Sequence, residues 1–202
     1  MNTKQHWETV YENKTPDQVS WTQEKPEVSL ELIRAANLPK TAKIIDIGGG
    51  DSKLVDFLLE EGYENISVLD ISAKALERAK KRLGKRANDV KWIVCNIIAF
   101  QPTETYDLWH DRAAFHFLTT KEDIQKYRSI VNEFVTDRLI IGTFSKQGPT
   151  KCSGLEISQY DEIGLAKVYE NHFEKVTCLT TDHVTPFETI QNFQFCSFKK
   201  LK

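Results

Sequence analysis

Apolar and polar residues follow two alternating periods along this chain from about residue 26 onward. Apolar runs with strand-like spacing predict seven strands, at residues 43–47, 66–70, 90–95, 106–110, 138–144, 174–180 and 193–199. Apolar residues spaced three and four apart predict helices that begin near residues 26, 52, 72, 120 and 161. This alternation of strands and helices predicts one α/β domain.

Capping residues and connection lengths extend this prediction to the arrangement of the strands. Ser72 and Thr120 precede helical patterns and are typical N-caps, while Asp51 or Ser52 is the expected cap of the helix after the first strand. Strands separated by a helix are expected to run parallel, with right-handed crossovers. The last two strands have no room for a helix between them, so we expect an antiparallel hairpin at one edge of a mostly parallel sheet.

Composition and charge exclude several classes of protein. The chain has 202 residues, of which 40% are hydrophobic and 28% charged, with a formal net charge of −2. This is the composition of a globular domain without the basic face that general nucleic-acid binding requires. We see no secretion signal or membrane span, and the four cysteines form no Cys-x-x-Cys pair, so a reducing cytoplasm is the default expectation.

A glycine turn and an acidic residue indicate a ligand site. Gly48, Gly49 and Gly50 follow the first strand, and Asp70 closes the second strand at the spacing where a carboxylate can bind ribose hydroxyls. A tight turn and a helix-capping aspartate are the alternatives. The dinucleotide pattern fails at Lys53, and Asp51 places negative charge where a pyrophosphate would lie. A ligand with adenosine and a cationic, phosphate-free tail fits better.

The segment Asp46-Ile47-Gly48-Gly49-Gly50-Asp51-Ser52, followed by Asp70, resembles motif I and the acidic loop of the class I S-adenosylmethionine-dependent methyltransferases. The resemblance covers roughly residues 26–200, and it departs from the motif where Ser52 replaces the third glycine. It implies a Rossmann-like, mostly parallel seven-stranded sheet with helices on both faces and an antiparallel C-terminal strand.

The same resemblance implies S-adenosylmethionine as the cofactor and assigns residues to it. Gly48, Gly49 and Gly50 would lie under the methionine part of the cofactor, and Asp46 would brace their loop. Asp70 would hold the ribose and Ile71 would contact the adenine. After the third strand, Asn96 can accept a hydrogen bond from the adenine amino group, and Ile97 can contact the ring.

The segment after the fourth strand concentrates chemical groups at the expected acceptor side. His110, Asp111 and His116 are the candidate catalytic residues, and His110 is also a candidate cofactor contact. Buried structural histidines are the alternative for both positions, and an ion pair with Asp111 is the alternative for Arg112. Three well-spaced metal ligands are not apparent, so we expect no metal site.

The first 25 residues are rich in aromatic side chains and precede the predicted core. We expect residues 1–25 to form a lid or cap segment on a cofactor-binding core of residues 26–202, together one methyltransferase domain. Trp21 would then present its ring near the sulfonium of the cofactor. Ordinary packing of these aromatic residues against the sheet is the alternative.

These features predict methyl transfer by direct displacement to a small molecule or, alternatively, to a protein side chain. Nucleic-acid acceptors are disfavoured because the Asn-Pro-Pro-aromatic and Pro-Cys signatures are missing. Competing hypotheses are a non-catalytic regulatory protein that binds S-adenosylmethionine and a nicotinamide-dependent oxidoreductase, with aminopropyl transfer ranked lowest. The sequence indicates neither the acceptor nor the oligomeric state.

Overall fold

The computed structural model describes residues 3–202, so Met1 and Asn2 of the predicted lid segment lie outside the described residues. Six α-helices form within this range: α1 (Thr3–Asn13), α2 (Glu27–Ala35), α3 (Leu54–Glu60), α4 (Ala73–Leu83), α5 (Lys121–Phe134) and α6 (Glu162–Tyr169). The strands are β1 (Lys43–Ile47), β2 (Asn65–Asp70), β3 (Val90–Val94), β4 (Tyr106–Arg112), β5 (Val135–Phe144), β6 (Lys151–Cys152), β7 (Leu155–Glu156), β8 (Phe173–Val184) and β9 (Ile190–Lys200).

Seven strands form one sheet in the order β3-β2-β1-β4-β5-β9-β8, and β6 pairs with β7 in a separate short hairpin. The first five strands of the sheet run parallel, whereas β9 is antiparallel to both β5 and β8. The predicted fold class is therefore confirmed. Because β1 lies between β2 and β4, the chain reverses its direction of sheet growth at β1, where open parallel sheets bind their ligands.

Helices cover both faces of this sheet and bury two apolar clusters. On one face, the apolar sides of α2, α3 and α4 pack on alternate residues of β1 and β2, with Leu30 and Leu58 inaccessible to solvent. On the other face, α5 and α6 contribute Tyr127, Val131 and Leu165 to a cluster around Trp109. Alternation of side chains along each strand produces these two cores, as period-2 patterning requires.

Helix starts agree with the capping signals at two of three predicted positions. The Ser72 side chain accepts a hydrogen bond from the backbone of Ala75, and the Thr120 side chain accepts one from the backbone of Asp123. The third prediction was wrong, because the N-cap of α3 is Lys53 rather than Asp51 or Ser52. The glycine turn takes one more residue than expected before the helical geometry begins.

The C-terminal strands are longer than the sequence pattern indicates. β8 has 12 residues and β9 has 11, and their register places Cys178 opposite Cys196. These two cysteines form a disulfide. Such bonds are characteristic of oxidising compartments, and the expectation of a reducing cytoplasm stays a prediction. Among residues 3–202, none of the helices combines the length and the apolar character needed to cross a bilayer.

Candidate active site

A cavity of about 530 Å³ opens at the carboxyl ends of β1, β2 and β4. This is the location that the topology of the sheet favours for a ligand. Nine of the residues predicted from the sequence line it: Trp21, Asp46, Gly48, Gly49, Asp70, Ile71, Asn96, Ile97 and His110. The structure therefore brings these side chains and backbone groups together around one space. Within the described residues, no group of three potential metal ligands occurs.

The glycine turn after β1 needs its glycines for backbone and packing reasons. Gly48 and Gly50 have φ angles of 65° and 51°, in the region that side chains disfavour. A Cβ on Gly49 would lie 2.6 Å from Oδ2 of Asp46, which leaves no room for alanine. Gly50 does not line the cavity, and a Cβ there would lie 2.6 Å from the hydroxyl oxygen of Tyr11.

Asp70 closes β2 with its side chain against the glycine turn. Its Oδ1 accepts a hydrogen bond of 2.8 Å from the backbone of Ser72, which fixes the orientation of the carboxyl group. Burial, together with the negative charges of Asp51 and Asp46, raises the pKa of Asp70 to about 7, against the lowering effect of the backbone hydrogen bonds from Ser72 and Gly50. Asp70 is therefore a buried carboxyl group that titrates near neutral pH beside the cavity.

Asp46, His110 and Ser29 form a buried hydrogen-bonded chain along the wall of the cavity. Oδ1 of Asp46 lies 2.7 Å from Nδ1 of His110, and Nε2 of His110 lies 2.9 Å from the hydroxyl oxygen of Ser29. A carboxylate only accepts hydrogen bonds, so it favours the tautomer with hydrogen on Nδ1. In that tautomer Nε2 accepts the Ser29 hydroxyl hydrogen. The pairing of Asp46 with His110 follows from their adjacent positions on β1 and β4.

The opposite end of the cavity is lined by the segment after β3. Asn96 and Ile97 begin a short turn of 3-10 helix, and the Asn96 side chain accepts a hydrogen bond of 3.2 Å from the backbone of Ile98. Ile71, the residue after β2, also lines the cavity. This end offers apolar surface and one amide side chain, a combination suited to a flat aromatic base.

Asp111 and His116 do not line the cavity, so their positions do not support the catalytic roles expected from the sequence. Asp111 accepts hydrogen bonds from the backbones of Ala114 and Phe115 and one of 2.6 Å from the hydroxyl of Tyr127. Burial raises the pKa of Asp111 to about 6, and these hydrogen bonds oppose the rise. Its observed role is to fix the turn that follows β4.

His116 is likewise inaccessible to solvent. Its Nδ1 accepts a hydrogen bond of 3.4 Å from the backbone of Phe144, and its ring packs against the rings of Phe117 and Phe144. Burial and the positive charge of Arg112 lower the pKa of His116 to about 3. A histidine in this state packs as a neutral ring.

Arg112 lines the cavity and does not pair with Asp111, contrary to the alternative considered from the sequence. Successive residues of a strand point to opposite faces, which separates these two side chains. The Nη1 atom of Arg112 donates a hydrogen bond of 3.0 Å to the carbonyl of Trp21, and the guanidinium lies 4.9 Å from the ring centre of Phe193. Burial lowers the pKa of Arg112 to about 10, so it keeps its charge at neutral pH.

The N-terminal segment, residues 3–25, is held over the cavity by polar contacts with the core. The Glu8 carboxylate accepts hydrogen bonds from the Ser72 hydroxyl and from the backbones of Ala73 and Lys74. These are the free amides at the start of α4, and an acidic group at this position is favourable. Burial raises the pKa of Glu8, but the hydrogen bonds outweigh it and the net shift is downward.

Aromatic side chains complete the contact between this segment and the site. The rings of Trp7, Tyr11 and Trp21 pack edge-on or tilted against one another, and Trp7 also contacts Phe117. At the far end of the segment, Nε2 of His183 lies 2.7 Å from the carbonyl of Ser20. The three N-terminal rings line the cavity, so the segment forms part of its wall.

Sequence reasoning missed Ser29 as a site residue and left Arg112 undecided. Ser29 reaches His110 from α2, 81 positions away along the chain, and no local motif predicts this contact. For Arg112, the alternation of side chains along β4 was a usable signal, because it places Arg112 on the same face as His110.

Comparison with known proteins gives one match to a family and many to solved structures. The family described as "Methyltransferase domain" matches residues 44–134, which include the glycine turn, Asp70 and His110. No curated protein matches the sequence. The N-methyltransferase NodS from Bradyrhizobium japonicum WM9, solved with S-adenosylhomocysteine, superposes with a TM-score of 0.75 at 16% identity over 100% of both chains.

Two further solved structures have a similar fold. The 1,6-didemethyltoxoflavin-N1-methyltransferase of Burkholderia thailandensis gives a TM-score of 0.73 at 16% identity, over 98% of this chain and 87% of the other. The magnesium protoporphyrin IX methyltransferase ChlM of Synechocystis PCC 6803 gives 0.68 at 18% identity, over 100% and 85%. The chain therefore matches the methyltransferase-domain family over residues 44–134 and has the fold of the class I S-adenosylmethionine-dependent methyltransferases.

Proposed function

We propose that this protein transfers a methyl group from S-adenosylmethionine to a small-molecule acceptor bound in the cavity. The observation that carries the proposal is the convergence of the glycine turn, Asp70 and His110 on one cavity in a chain that matches the methyltransferase-domain family. Residues 26–202 form the cofactor-binding core in this proposal, and the described part of the N-terminal segment, residues 3–25, forms its lid.

The charges around the cavity fit this cofactor better than a dinucleotide. Asp46, Asp51 and Asp70 all line the cavity next to the glycine turn. Three carboxyl groups would repel a pyrophosphate, whereas they favour a sulfonium and an ammonium group. The structures of NodS and ChlM hold S-adenosylhomocysteine and S-adenosylmethionine, which supports the same choice.

Each end of the cavity has residues suited to one part of the cofactor. The Asp70 carboxylate would accept hydrogen bonds from the ribose hydroxyls, and Asn96, Ile97 and Ile71 would surround the adenine. Gly48 and Gly49 would let the methionine part approach the backbone. When bound, S-adenosylmethionine supplies an electrophilic methyl group.

The remaining chemistry is alignment of the acceptor and exclusion of water. The rings of Trp7, Tyr11 and Trp21 close the cavity from the N-terminal side, which favours a small acceptor over a protein side chain. His110 and Ser29 lie on the wall with their hydrogen bonds satisfied by each other and by Asp46. If the acceptor loses a proton, the Ser29 hydroxyl can take it and pass its own to Nε2 of His110, whose imidazolium form Asp46 stabilises.

Binding and transfer can be tested separately on the full chain. Calorimetric titration should show binding of S-adenosylhomocysteine, and no binding of NAD⁺ at equal concentration. Incubation with S-adenosylmethionine carrying a labelled methyl group and a panel of small amines, phenols, thiols and carboxylic acids should label at least one acceptor.

The two results distinguish the proposal from its competitors. Binding of the cofactor product without labelling of any acceptor would favour a regulatory protein over an enzyme. Binding of NAD⁺ instead of S-adenosylhomocysteine would overturn the proposal and favour an oxidoreductase.

The His110→Gln variant should retain binding of S-adenosylhomocysteine within about threefold while methyl transfer falls more steeply, because it removes the proton acceptor.

A further inference from the structure

Arg112 is a half-buried cation on the cavity wall that forms no ion pair among the described residues. Arg112 contacts the carbonyl of Trp21 and the ring of Phe193, and its Nη2 atom is shielded from solvent with no hydrogen-bond partner among residues 3–202. Buried arginines are normally paired with carboxylates, because an uncompensated charge in a protein interior is costly. An unpaired arginine on a cavity wall therefore indicates a missing partner.

The neighbouring groups form no ion pair with this charge. The negative charge of Asp46 favours the charged form of Arg112, but Oδ1 of Asp46 is hydrogen-bonded to His110 and no direct contact between Asp46 and Arg112 is observed within residues 3–202. Burial raises the pKa of the Cys152 thiol to about 11, which keeps it neutral. Two other cations on the cavity wall differ from Arg112 in this respect, since Lys53 is paired with Glu24 and Arg82 with Asp56.

Arg112 lies on the side of the cavity away from the residues proposed to bind the adenosine part of the cofactor. Its strand, β4, pairs with β1 on one side and β5 on the other, whereas Asp70 lies at the end of β2. The guanidinium approaches Phe193 of β9, beyond β5 in the sheet. The acidic groups that suit a cationic cofactor are thus separated from the cation that would suit an anionic acceptor.

We propose that Arg112 binds a carboxylate of the methyl acceptor and so restricts the substrates to small carboxylic acids. This inference rests on the proposed methyltransferase function and adds the substrate class. The acceptor carboxylate would take the place beside the guanidinium that no group of the protein fills, with the carbonyl of Trp21 holding Nη1 in position.

The position of Arg112 relative to His110 limits the shape of the acceptor. The two residues are separated by one position on β4 and share a face, so their Cα atoms lie roughly 6.6 Å apart. An acceptor whose carboxylate meets Arg112 can present a nearby hydroxyl or amino group to the wall formed by His110 and Ser29. Hydroxy and amino derivatives of benzoate have these dimensions and are suitable probes.

The test compares acids with their neutral amides on the complex with S-adenosylhomocysteine. Binding of 2-, 3- and 4-hydroxybenzoate and of the corresponding aminobenzoates is measured beside that of their primary amides, which have nearly the same shape. With the native protein, at least one acid should bind about 10- to 100-fold more tightly than its amide, the range expected for hydrogen bonds to charged groups. Arg112→Gln should abolish this preference, and Arg112→Lys should retain part of it.

Arg86→Gln is the matched control, because it also replaces an arginine by glutamine but at an exposed position. The Arg86 side chain is 46% exposed and forms a long ion pair, with 3.8 Å between its Nη2 and Oε1 of Glu60. That variant should keep the preference for acids unchanged.

A native protein that binds S-adenosylhomocysteine but binds no acid more tightly than its amide would overturn the inference while leaving the proposed function standing. This comparison needs no variant, so it decides the matter even if Arg112→Gln does not fold.

The carboxylate of the cofactor itself is the competing source of the missing anion. Binding of S-adenosylhomocysteine is therefore compared with binding of methylthioadenosine, which lacks the amino-acid part. If Arg112→Gln weakens the binding of S-adenosylhomocysteine about 10-fold or more and leaves the binding of methylthioadenosine unchanged, Arg112 binds the carboxylate of the cofactor and the inference is wrong. Failure of the native protein to bind either compound would instead refute the proposed function.

Discussion

The titration of Asp70 makes cofactor binding depend on pH in a way that can be calculated. Burial and the charges of Asp51 and Asp46 raise the pKa of Asp70 to about 7 in the protein without ligand. One of its oxygens already accepts from Ser72, and ribose hydroxyls would donate to the ionised carboxylate. Binding therefore requires loss of the Asp70 proton, and affinity should rise as pH increases through 7.

The size of the effect follows from the ionised fraction. With a pKa of about 7, Asp70 is about one-tenth ionised at pH 6 and about nine-tenths ionised at pH 8. The affinity for S-adenosylhomocysteine should therefore increase about tenfold over this range, equivalent to about 1.4 kcal/mol. At pH 6, binding should release about 0.9 proton per site.

Calorimetric titrations at pH 6, 7 and 8, repeated in buffers of different ionisation enthalpy, measure both the affinity for S-adenosylhomocysteine and the number of protons released on binding. Asp70→Asn should bind more weakly by about 1.5–3 kcal/mol at pH 8 and lose most of the pH dependence. The Asp51→Asn variant should retain the pH dependence of binding, but the midpoint of that dependence should lie at lower pH, because the negative charge of Asp51 raises the pKa of Asp70. A native affinity that is constant from pH 6 to pH 8, or an equal slope in Asp70→Asn, would refute this reasoning.

Three further variants test the packing and the lid. Gly49→Ala places a Cβ 2.6 Å from a carboxylate oxygen, so the free energy of unfolding measured in urea should fall by about 1–3 kcal/mol. Glu8→Gln should weaken the cap of α4 by about 1 kcal/mol and speed hydrogen exchange in α1, whereas Glu12→Gln, which loses only an exposed ion pair, should not. Tyr127→Phe leaves the Asp111 carboxyl without its 2.6 Å hydrogen bond, and thermal unfolding should show a loss of about 1–3 kcal/mol with unchanged affinity for S-adenosylhomocysteine.

Each of these expectations has a clear contrary result. Unchanged stability of the Gly49→Ala variant would show that the turn relaxes without cost. Equal exchange rates in the Glu8 and Glu12 variants would show that the cap does not hold the lid. Weakened cofactor binding in Tyr127→Phe would return Asp111 to the candidate active site.

The parallel part of the sheet could be predicted because its signals are local. Apolar runs, the glycine turn and the caps at Ser72 and Thr120 each act over a few residues, and they place β1 to β5 and the helices between them. Strand ends were less accurate. β4 continues to Arg112 and β8 starts at Phe173 and runs to Val184, because pairing with neighbouring strands extends a strand beyond its apolar pattern.

The N-terminal helix and the polar contacts of the site could not be predicted for a different reason. α1 is stabilised through Glu8, whose partners at the start of α4 lie 64 to 66 positions away along the chain. Likewise, nothing adjacent to Ser29 in the sequence indicates its contact with His110, and alternation along β4 predicts the face on which Arg112 lies but not its contacts. Such interactions depend on which elements the fold brings together, and a single sequence does not encode that in a local pattern.

A crystal structure of the protein with S-adenosylhomocysteine tests the central claim most directly. We expect the ligand in the cavity at the end of β1, with a ribose hydroxyl about 2.6–3.2 Å from the carboxylate of Asp70 and the adenine beside Ile97. Crystals grown with the ligand that show it bound elsewhere, or with Asp70 making no contact to it, would contradict the claim.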